Sequence, residues 1–131
     1  MAPEGDRLLL DRLGVKPGML ISLSGYDDAG FRAELEARGA RVGPQPGELA
    51  DLVFYMAARL ADLERLAELR EGIEENGAIW VLRVKGRART LGEVEIIDAA
   101  RAAGLVDNKI ASFSDELAAM RLVVPLALRR R

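Results

Sequence analysis

The sequence predicts an α/β domain with a mostly parallel sheet, helices on both faces of that sheet, and an antiparallel hairpin at the C-terminal end. Strand-like apolar segments alternate with segments of helical periodicity along most of the chain. The strand-like segments are apolar on consecutive residues, which is typical of strands buried on both faces of a parallel sheet. Only Ser114-Asp115-Glu116 joins the last two predicted strands, and this is too short for a crossover helix, so these strands should be antiparallel.

The composition is that of one globular domain, residues 1–131, with a basic tail at about residues 128–131. Because the chain contains neither cysteine nor histidine, thiol catalysis, thiolate or imidazole metal sites and a histidine general base are excluded. A formal net charge of −2 argues against bulk affinity for nucleic acid or anionic membranes. The apolar run at residues 122–128 is much shorter than the roughly 20 residues of a membrane-spanning helix, so we expect a cytoplasmic protein.

The chain is predicted to start with a short helix and a strand. The helix is expected to begin at Asp6 and end at Gly14, since aspartate is a preferred N-cap and glycine a preferred helix stop. A turn at residues 16–18 then leads to a strand at residues 19–23. The leucines of the helix are expected to face the core: Leu8, Leu9, Leu10 and Leu13.

The second helix is predicted to be capped by Asp27 or Asp28 and to end near Arg38. A short strand at residues 40–42 follows it. The loop at residues 43–47 contains two prolines, which cannot join a central hydrogen-bonded ladder, so this strand is expected near an edge of the sheet.

The middle of the chain is predicted to form a strand, a helix and a second strand. A strand at residues 51–56 precedes apolar residues at helical spacing, which predict a helix that stops at Gly77. The strongest strand is predicted at residues 78–85, with Trp80 in the core and its N–H on a backbone acceptor. The residues at helical spacing are Leu60, Leu63, Leu66, Leu69 and Ile73.

The segment Thr90-Leu91-Gly92-Glu93 has the pattern of a capping box, in which the threonine starts a helix and the glutamate closes the cap. This helix is predicted to end at Gly104, and the closing strands are predicted at residues 107–113 and 120–126. The inward-facing helix residues should be Val94, Ile97 and Ala100.

The turn Ser24-Gly25-Tyr26-Asp27-Asp28-Ala29-Gly30 lies where an open α/β sheet holds a nucleotide. Nucleotide fingerprints have glycines two and then three residues apart, whereas Gly25 and Gly30 are five apart. The tyrosine and the two carboxylates between them would crowd a cofactor and repel a phosphate.

The same turn contains candidate ligand contacts, namely Ser24, Tyr26 and Asp27. The sequence Tyr26-Asp27-Asp28 offers a hydroxyl and paired carboxylates for acid–base chemistry or for a hard cation. Capping of the following helix by the carboxylates is the alternative interpretation, and it is the more common use of such residues.

A second candidate site consists of basic residues at every second position. An extended chain would present all four to one side, at the carboxyl end of a strand, where open α/β sheets bind ligands. Arginines at this place suit a carboxylate or a phosphate. The alternative is a solvated strand end whose cations pair with nearby carboxylates. The residues are Arg83, Lys85, Arg87 and Arg89.

The order of elements resembles a class I S-adenosylmethionine-dependent methyltransferase domain, a Rossmann-like three-layer sandwich, shortened by loss of its middle. The resemblance rests on Asp51-Leu52-Val53-Phe54-Tyr55, Ala78-Ile79-Trp80-Val81 and Gly104-Leu105-Val106-Asp107 with the closing hairpin. The second strand of that fold ends in an acidic residue for the ribose hydroxyls, but Ala40-Arg41-Val42-Gly43-Pro44 contains none, and Glu48 comes late.

The segments Leu13-Gly14-Val15-Lys16-Pro17-Gly18, Trp80-Val81-Leu82-Arg83-Val84-Lys85-Gly86 and Leu122-Val123-Val124-Pro125 resemble a family of small bacterial proteins of unknown function. Together the resemblances imply a fold and no activity. We therefore expect a non-catalytic methyltransferase-like domain that binds a small anionic ligand or a protein partner and needs no cofactor or metal. The alternative is a divergent enzyme that uses S-adenosylmethionine or a nucleotide.

A homodimer through the C-terminal hairpin is also expected. The apolar run Leu122-Val123-Val124, together with Leu126, is predicted to lie on a face that a shortened sheet leaves partly uncovered. Arg129-Arg130-Arg131 is interpreted as a frayed basic tail and not as a nucleic-acid contact, since few aromatic residues are available for stacking.

Overall fold

A computed structural model describes residues 4–129, and for residues 4–7 and 88 it describes the backbone alone. Within these residues one sheet of six strands has the order β2-β1-β3-β4-β6-β5. Strands β1 to β4 are mutually parallel, and β6 is antiparallel to both of its neighbours, so the predicted fold class is confirmed. The strands are β1 (Leu20–Ser24), β2 (Arg41–Val42), β3 (Ala50–Met56), β4 (Ile73–Val84), β5 (Val106–Ser112) and β6 (Leu117–Val123).

Helices cover both faces of this sheet. One face packs against α1 (Glu4–Leu13) and α2 (Ala29–Ala37), and its core includes Ile21, Phe54 and Trp80. The other face packs against α3 (Leu66–Arg70) and α4 (Glu93–Ala102). Three 3₁₀ helices complete the described chain: Leu60–Arg65, Gly86–Ala88 and Leu126–Leu128. In the described part of the chain, no helix has both the length and the apolar character that crossing a membrane requires.

Helix α1 differs from its prediction at its start. Asp6 already lies inside the helix and therefore does not begin it, whereas Gly14 ends it with a φ of 76°, a conformation that favours glycine. Leu13 is fully buried, but Leu8 is 54% exposed, because only one side of the helix contacts the sheet. The last turn is fixed by Trp80, whose Nε1 donates to the Leu13 carbonyl at 3.1 Å, so the prediction for this tryptophan is confirmed.

The predicted helix up to Gly77 is wrong in its second half. The helical segment ends with α3 at Arg70, and β4 begins at Ile73. Ile73 pairs with Ala50, and Ala78 pairs with Leu52, so residues 74–77 of β4 bulge opposite a single residue of β3. Apolar spacing alone cannot distinguish a helix from a bulged strand that returns to the core.

Gly77 marks the end of this bulge. A Cβ at this position would lie 2.6 Å from the Asp51 carbonyl oxygen and 3.1 Å from that of Glu74, closer than a real Cβ contact. The glycine is thus required because the backbone of β3 approaches it, and not because a helix ends there.

The predicted capping box is displaced by two residues. The Thr90 hydroxyl donates to the Ala58 carbonyl, so it ties two loops together and does not cap α4. Gly92 is the N-cap, and its N–H donates to the Glu95 carboxylate at 2.7 Å. As a result α4 turns Ile96 and Ala100 into the core, while Val94 is 69% exposed.

The predicted apolar dimer face is wrong for most of its residues. Because β6 lies between β4 and β5 and both faces are covered, Leu122, Val123 and Val124 are buried. Leu126 is exposed, but it belongs to the last 3₁₀ helix. The edge strand on the hairpin side of the sheet is β5, and its pairing is irregular between Asp107 and Lys109.

We predict that Gly77→Ala destabilises the protein by about 1–3 kcal/mol, because the new methyl group overlaps backbone atoms that cannot move independently. Urea unfolding followed by the fluorescence of Trp80, the single tryptophan, measures the change. Gly72→Ala is the matched control, since its Cβ would make only an ordinary 3.5 Å contact with the Leu69 carbonyl. Equal unfolding midpoints for the two variants would contradict the close-approach explanation.

Candidate functional site

The carboxyl ends of β1, β3 and β4 meet at one edge of the sheet, which is where open α/β sheets bind ligands. The hairpin turn between β5 and β6 reaches the same edge, because the Lys85 N–H donates to the Glu116 carbonyl at 3.0 Å. Four loops therefore surround this edge: residues 25–28, 57–59, 85–92 and 113–116.

The loop after β1 packs closely onto the neighbouring strand. Gly25 has a φ of 71°, and a Cβ there would lie 3.3 Å from the Met56 carbonyl oxygen at the end of β3. The Tyr26 ring packs edge-on against Phe31 and Phe113, with centroid distances of 5.9 and 5.5 Å. Tyr26 thus extends the aromatic core beneath α2.

The carboxylates of this loop support the capping interpretation. Asp28 is the N-cap of α2, and its Oδ1 accepts a hydrogen bond from the Phe31 N–H at 2.9 Å. Burial, followed by the negative charge of Asp28, raises the pKa of the Tyr26 hydroxyl, which therefore remains a proton donor at neutral pH. Asp27 is exposed. No group of three or more acidic side chains within residues 4–129 is placed to hold a metal ion.

An arginine that the sequence analysis did not single out lies between the ends of β1 and β3. The Arg65 Nη1 donates to Ser24 Oγ at 3.4 Å, and its guanidinium lies 5.6 Å from the centre of the Tyr55 ring. Arg65 also pairs with Glu68 at 3.3 Å. This is the topological switch point of the sheet, since β1 connects to β2 on one side and the chain returns to β3 on the other.

The end of β2 is closed by an ion pair. Arg41 Nη2 lies 2.6 Å from Glu48 Oε2, and the Gln45 N–H donates to Glu48 Oε1 at 2.7 Å. The hydrogen bond from Arg41, followed by that from the Gln45 amide, lowers the pKa of Glu48. Glu48 therefore stabilises the conformation of its own loop.

The four basic residues after β4 are brought together, although not by an extended chain. An extended chain was predicted to present all four side chains to one side. This prediction is wrong beyond Lys85, because residues Gly86–Ala88 form a 3₁₀ turn that starts with Gly86 at a φ of 79°. Arg83, Lys85, Arg87 and Arg89 nevertheless line one open depression of about 560 Å³, here called the basic depression.

Arg83 plays a different role from its three neighbours. Its side chain is only 11% exposed, it pairs with Glu93 at 3.3 Å, and it donates to the Leu91 carbonyl at 3.4 Å. Arg83 therefore connects the end of β4 to the start of α4. For Arg83, the structure therefore favours pairing with a nearby carboxylate over binding of a ligand.

The remaining three cations have no carboxylate within 4.0 Å among the described side chains, those of residues 8–87 and 89–129. The Lys85 Nζ donates to the neutral Ser112 Oγ at 2.7 Å, while Arg87 and Arg89 are exposed. Asp115 and Glu116 in the adjacent hairpin turn also stay beyond ion-pair distance. Three uncompensated positive charges thus converge on the basic depression.

The structure does not bring the two groups of predicted site residues into one pocket. Ser24, Tyr26 and Asp27 follow β1, and β3 lies between that strand and β4. At the other end of the chain, Arg129 is half-buried and its Nε donates to the Val124 carbonyl at 3.0 Å. Arg130 and Arg131, the rest of the predicted tail, lie outside the described residues.

These elements define an α/β domain of the methyltransferase type, and comparison with solved structures agrees. A TehB-like SAM-dependent methyltransferase from Corynebacterium glutamicum matches with a TM-score of 0.65 and 16% identity, over 92% of this chain and 88% of that one. A SAM-dependent methyltransferase from Aquifex aeolicus matches with a TM-score of 0.67 and 14% identity, over 91% and 89%. At such identities the likeness establishes the fold alone.

A third similar structure is magnesium protoporphyrin IX methyltransferase from Synechocystis with bound SAM, at a TM-score of 0.66 and 15% identity, over 92% of this chain and 76% of that one. The chain belongs to the DUF3052 family, a protein family of unknown function whose model matches residues 10–126. No curated protein matches the sequence.

We predict that Arg83→Met destabilises the fold by about 2 kcal/mol, since it removes charge-assisted hydrogen bonds from a buried position. Arg87→Met should change stability by less than about 0.5 kcal/mol, because Arg87 is exposed. Urea unfolding of the two variants measures both effects. Equal losses would contradict the separation of Arg83 from the other three cations.

Proposed function

We propose that this domain is a non-catalytic member of the methyltransferase fold that binds a small anionic ligand in the basic depression. The observation that carries the proposal is the convergence of Lys85, Arg87 and Arg89, which have no carboxylate partner in the described chain. Arginine offers a planar pair of donors to phosphate or carboxylate, and lysine offers a point charge. The depression is open to solvent, so it suits a ligand that is held by charge on one side and not enclosed.

The positions that would hold S-adenosylmethionine in this fold support the same proposal. Gly25 is packed against Met56, and Arg65 lies over the end of β1 at Ser24. At the end of β2, Glu48 is already paired with Arg41. These contacts within the protein engage residues at the positions that would cradle the cofactor, and they support a domain that does not bind it. We therefore derive no methyl-transfer step.

The ligand proposal predicts that inorganic pyrophosphate raises the melting temperature of the wild-type protein by several degrees when it is in large excess over Kd. A ligand at 100 times Kd stabilises the folded state by about 2.7 kcal/mol. The triple variant Lys85→Gln, Arg87→Gln, Arg89→Gln should lose this increase. Differential scanning fluorimetry at constant ionic strength measures it, with a nucleoside diphosphate and a dicarboxylate as further probes.

A matched control separates a site from general charge attraction. Arg12→Gln, Lys16→Gln, Arg101→Gln removes the same charges from exposed positions outside the depression. This variant should respond as the wild type does. If the depression variant responds to every anion as strongly as the control does, the proposed site is wrong.

The alternative function is a divergent enzyme that uses S-adenosylmethionine or a nucleotide, and the observation that favours it is the shared methyltransferase fold. Our proposal predicts that isothermal titration calorimetry with S-adenosylmethionine and with its demethylated product detects no binding tighter than about 1 mM, equivalent to about 4 kcal/mol. Micromolar binding of either compound would favour the alternative.

The expected homodimer stays a prediction, with a different contact. Val123 is buried, so the large exposed apolar residues that the structure describes near the hairpin are Ile110 on the edge strand β5, and Leu126 and Leu128 in the last 3₁₀ helix. The irregular register at Asp107 and the charge of Lys109 act against edge-to-edge strand pairing. We therefore expect a dimer whose contact is made by side chains and not by pairing of the edge strands.

A further inference from the structure

An apolar groove lies away from the basic depression, between the helices that cover one face of the sheet. Its volume is about 480 Å³. One bank is formed by Leu60, Leu63, Glu64 and Ala67, and the other by Glu95, Asp98, Ala99, Ala102 and Ala103. We call it the acidic groove.

The second bank of the acidic groove follows one face of α4 and its C-cap, since its residues are at the positions i, i+3, i+4, i+7 and i+8. The first bank lies on the 3₁₀ helix Leu60–Arg65 and the start of α3. The alanines of the second bank, two in α4 and one at its C-cap, keep this bank low, so a neighbouring backbone can approach closely. Two adjacent helical stripes of this kind form the groove into which a third helix packs.

All charged residues that line the groove are acidic. The lining contains three carboxylates and no lysine or arginine. Glu64 and Asp98 are exposed and pair with no cation within 4.0 Å in the described chain. Arg65 donates to Ser24 Oγ and pairs with Glu68, and Arg101, at position i+3 from Asp98 on α4, forms no ion pair with it within 4.0 Å. A cationic partner is thus complementary to this surface.

We propose that the acidic groove binds an amphipathic helix of a partner protein, with leucine-like residues at i, i+3, i+4 and i+7 and lysine or arginine on its flanks. The apolar side chains would rest on Leu63 and on the alanines of α4. The cations would face Glu64 on one bank and Asp98 on the other. From Glu95 to Ala103 the bank spans about 12 Å, which accommodates about two turns of such a helix.

The test uses a fluorescein-labelled peptide of 14 residues, made of leucine at the helical positions and lysine elsewhere. Fluorescence anisotropy measures its affinity for the full chain. Glu64→Lys, Asp98→Lys should weaken binding at least tenfold. Glu36→Lys, Glu74→Lys changes the net charge equally at exposed positions outside the groove and should stay within twofold of wild type.

A second variant tests the apolar part of the groove without a change of charge. Ala102→Gln replaces an exposed helical residue by a longer one that is compatible with the helix, so the fold should be retained. It should weaken binding several-fold. In the two-dimensional amide NMR spectrum, peptide addition should shift Ala99, Ala102 and Ala103.

The proposal is overturned by any of four results. These are no saturable binding up to about 1 mM peptide, equal loss in both charge-reversed variants, equal binding of a peptide with scrambled leucines, or equal binding of a peptide with glutamate in place of lysine. The triple variant of the basic depression should bind the peptide as wild type does. The proposed anion site and the acidic groove can therefore fail independently.

Discussion

The rest of the structure depends on the burial of β4 on both faces. Residues 77–83 are all buried, and β4 lies between β3 and β6 in the middle of the sheet. Trp80 and Leu82 require a helical layer on one side, while Ile79 and Val81 require one on the other. A strand buried in this way cannot be stable as a hairpin alone, so the two helical layers and the sheet must form together.

The burial of β4 also divides the cations at its carboxyl end into one that contributes to the fold and others that have no carboxylate partner. Arg83 is the last buried residue of the strand, and its charge is tolerated there because Glu93 and the Leu91 carbonyl contact it. Beyond Val84 the chain leaves the sheet, and the 3₁₀ turn at Gly86–Ala88 collects the following cations around one depression. Burial thus assigns Arg83 to the fold, while the cations that follow it have no carboxylate partner among the described side chains.

At the end of the sheet where this fold class carries its cofactor, several side chains make contacts within the protein. Tyr26 packs into the aromatic core, Asp28 caps α2, and Arg65 lies over Ser24. Two surfaces of opposite charge are also present, the basic depression at the end of β4 and the acidic groove between the helices. Because these surfaces lie on different elements, the two proposed sites can be tested independently of each other.

The sequence by itself determined the fold class, an aspartate cap of α2 at Asp27 or Asp28, the helix stop at Gly14, the position of Trp80 and the antiparallel hairpin, because these follow from local chemistry and from loop length. The structure selects Asp28 as the cap. It also identified the basic residues after β4. Tertiary structure alone decided that Gly77 belongs to a bulged strand, that Thr90 binds the Ala58 carbonyl, and that β6 is buried. It likewise decided the hydrogen-bond partners of Lys85 and Arg65, since Lys85 and Ser112 are 27 residues apart, and Arg65 and Ser24 are 41 apart. Contacts between residues so distant in the chain depend on strand order and register, which local patterns do not encode.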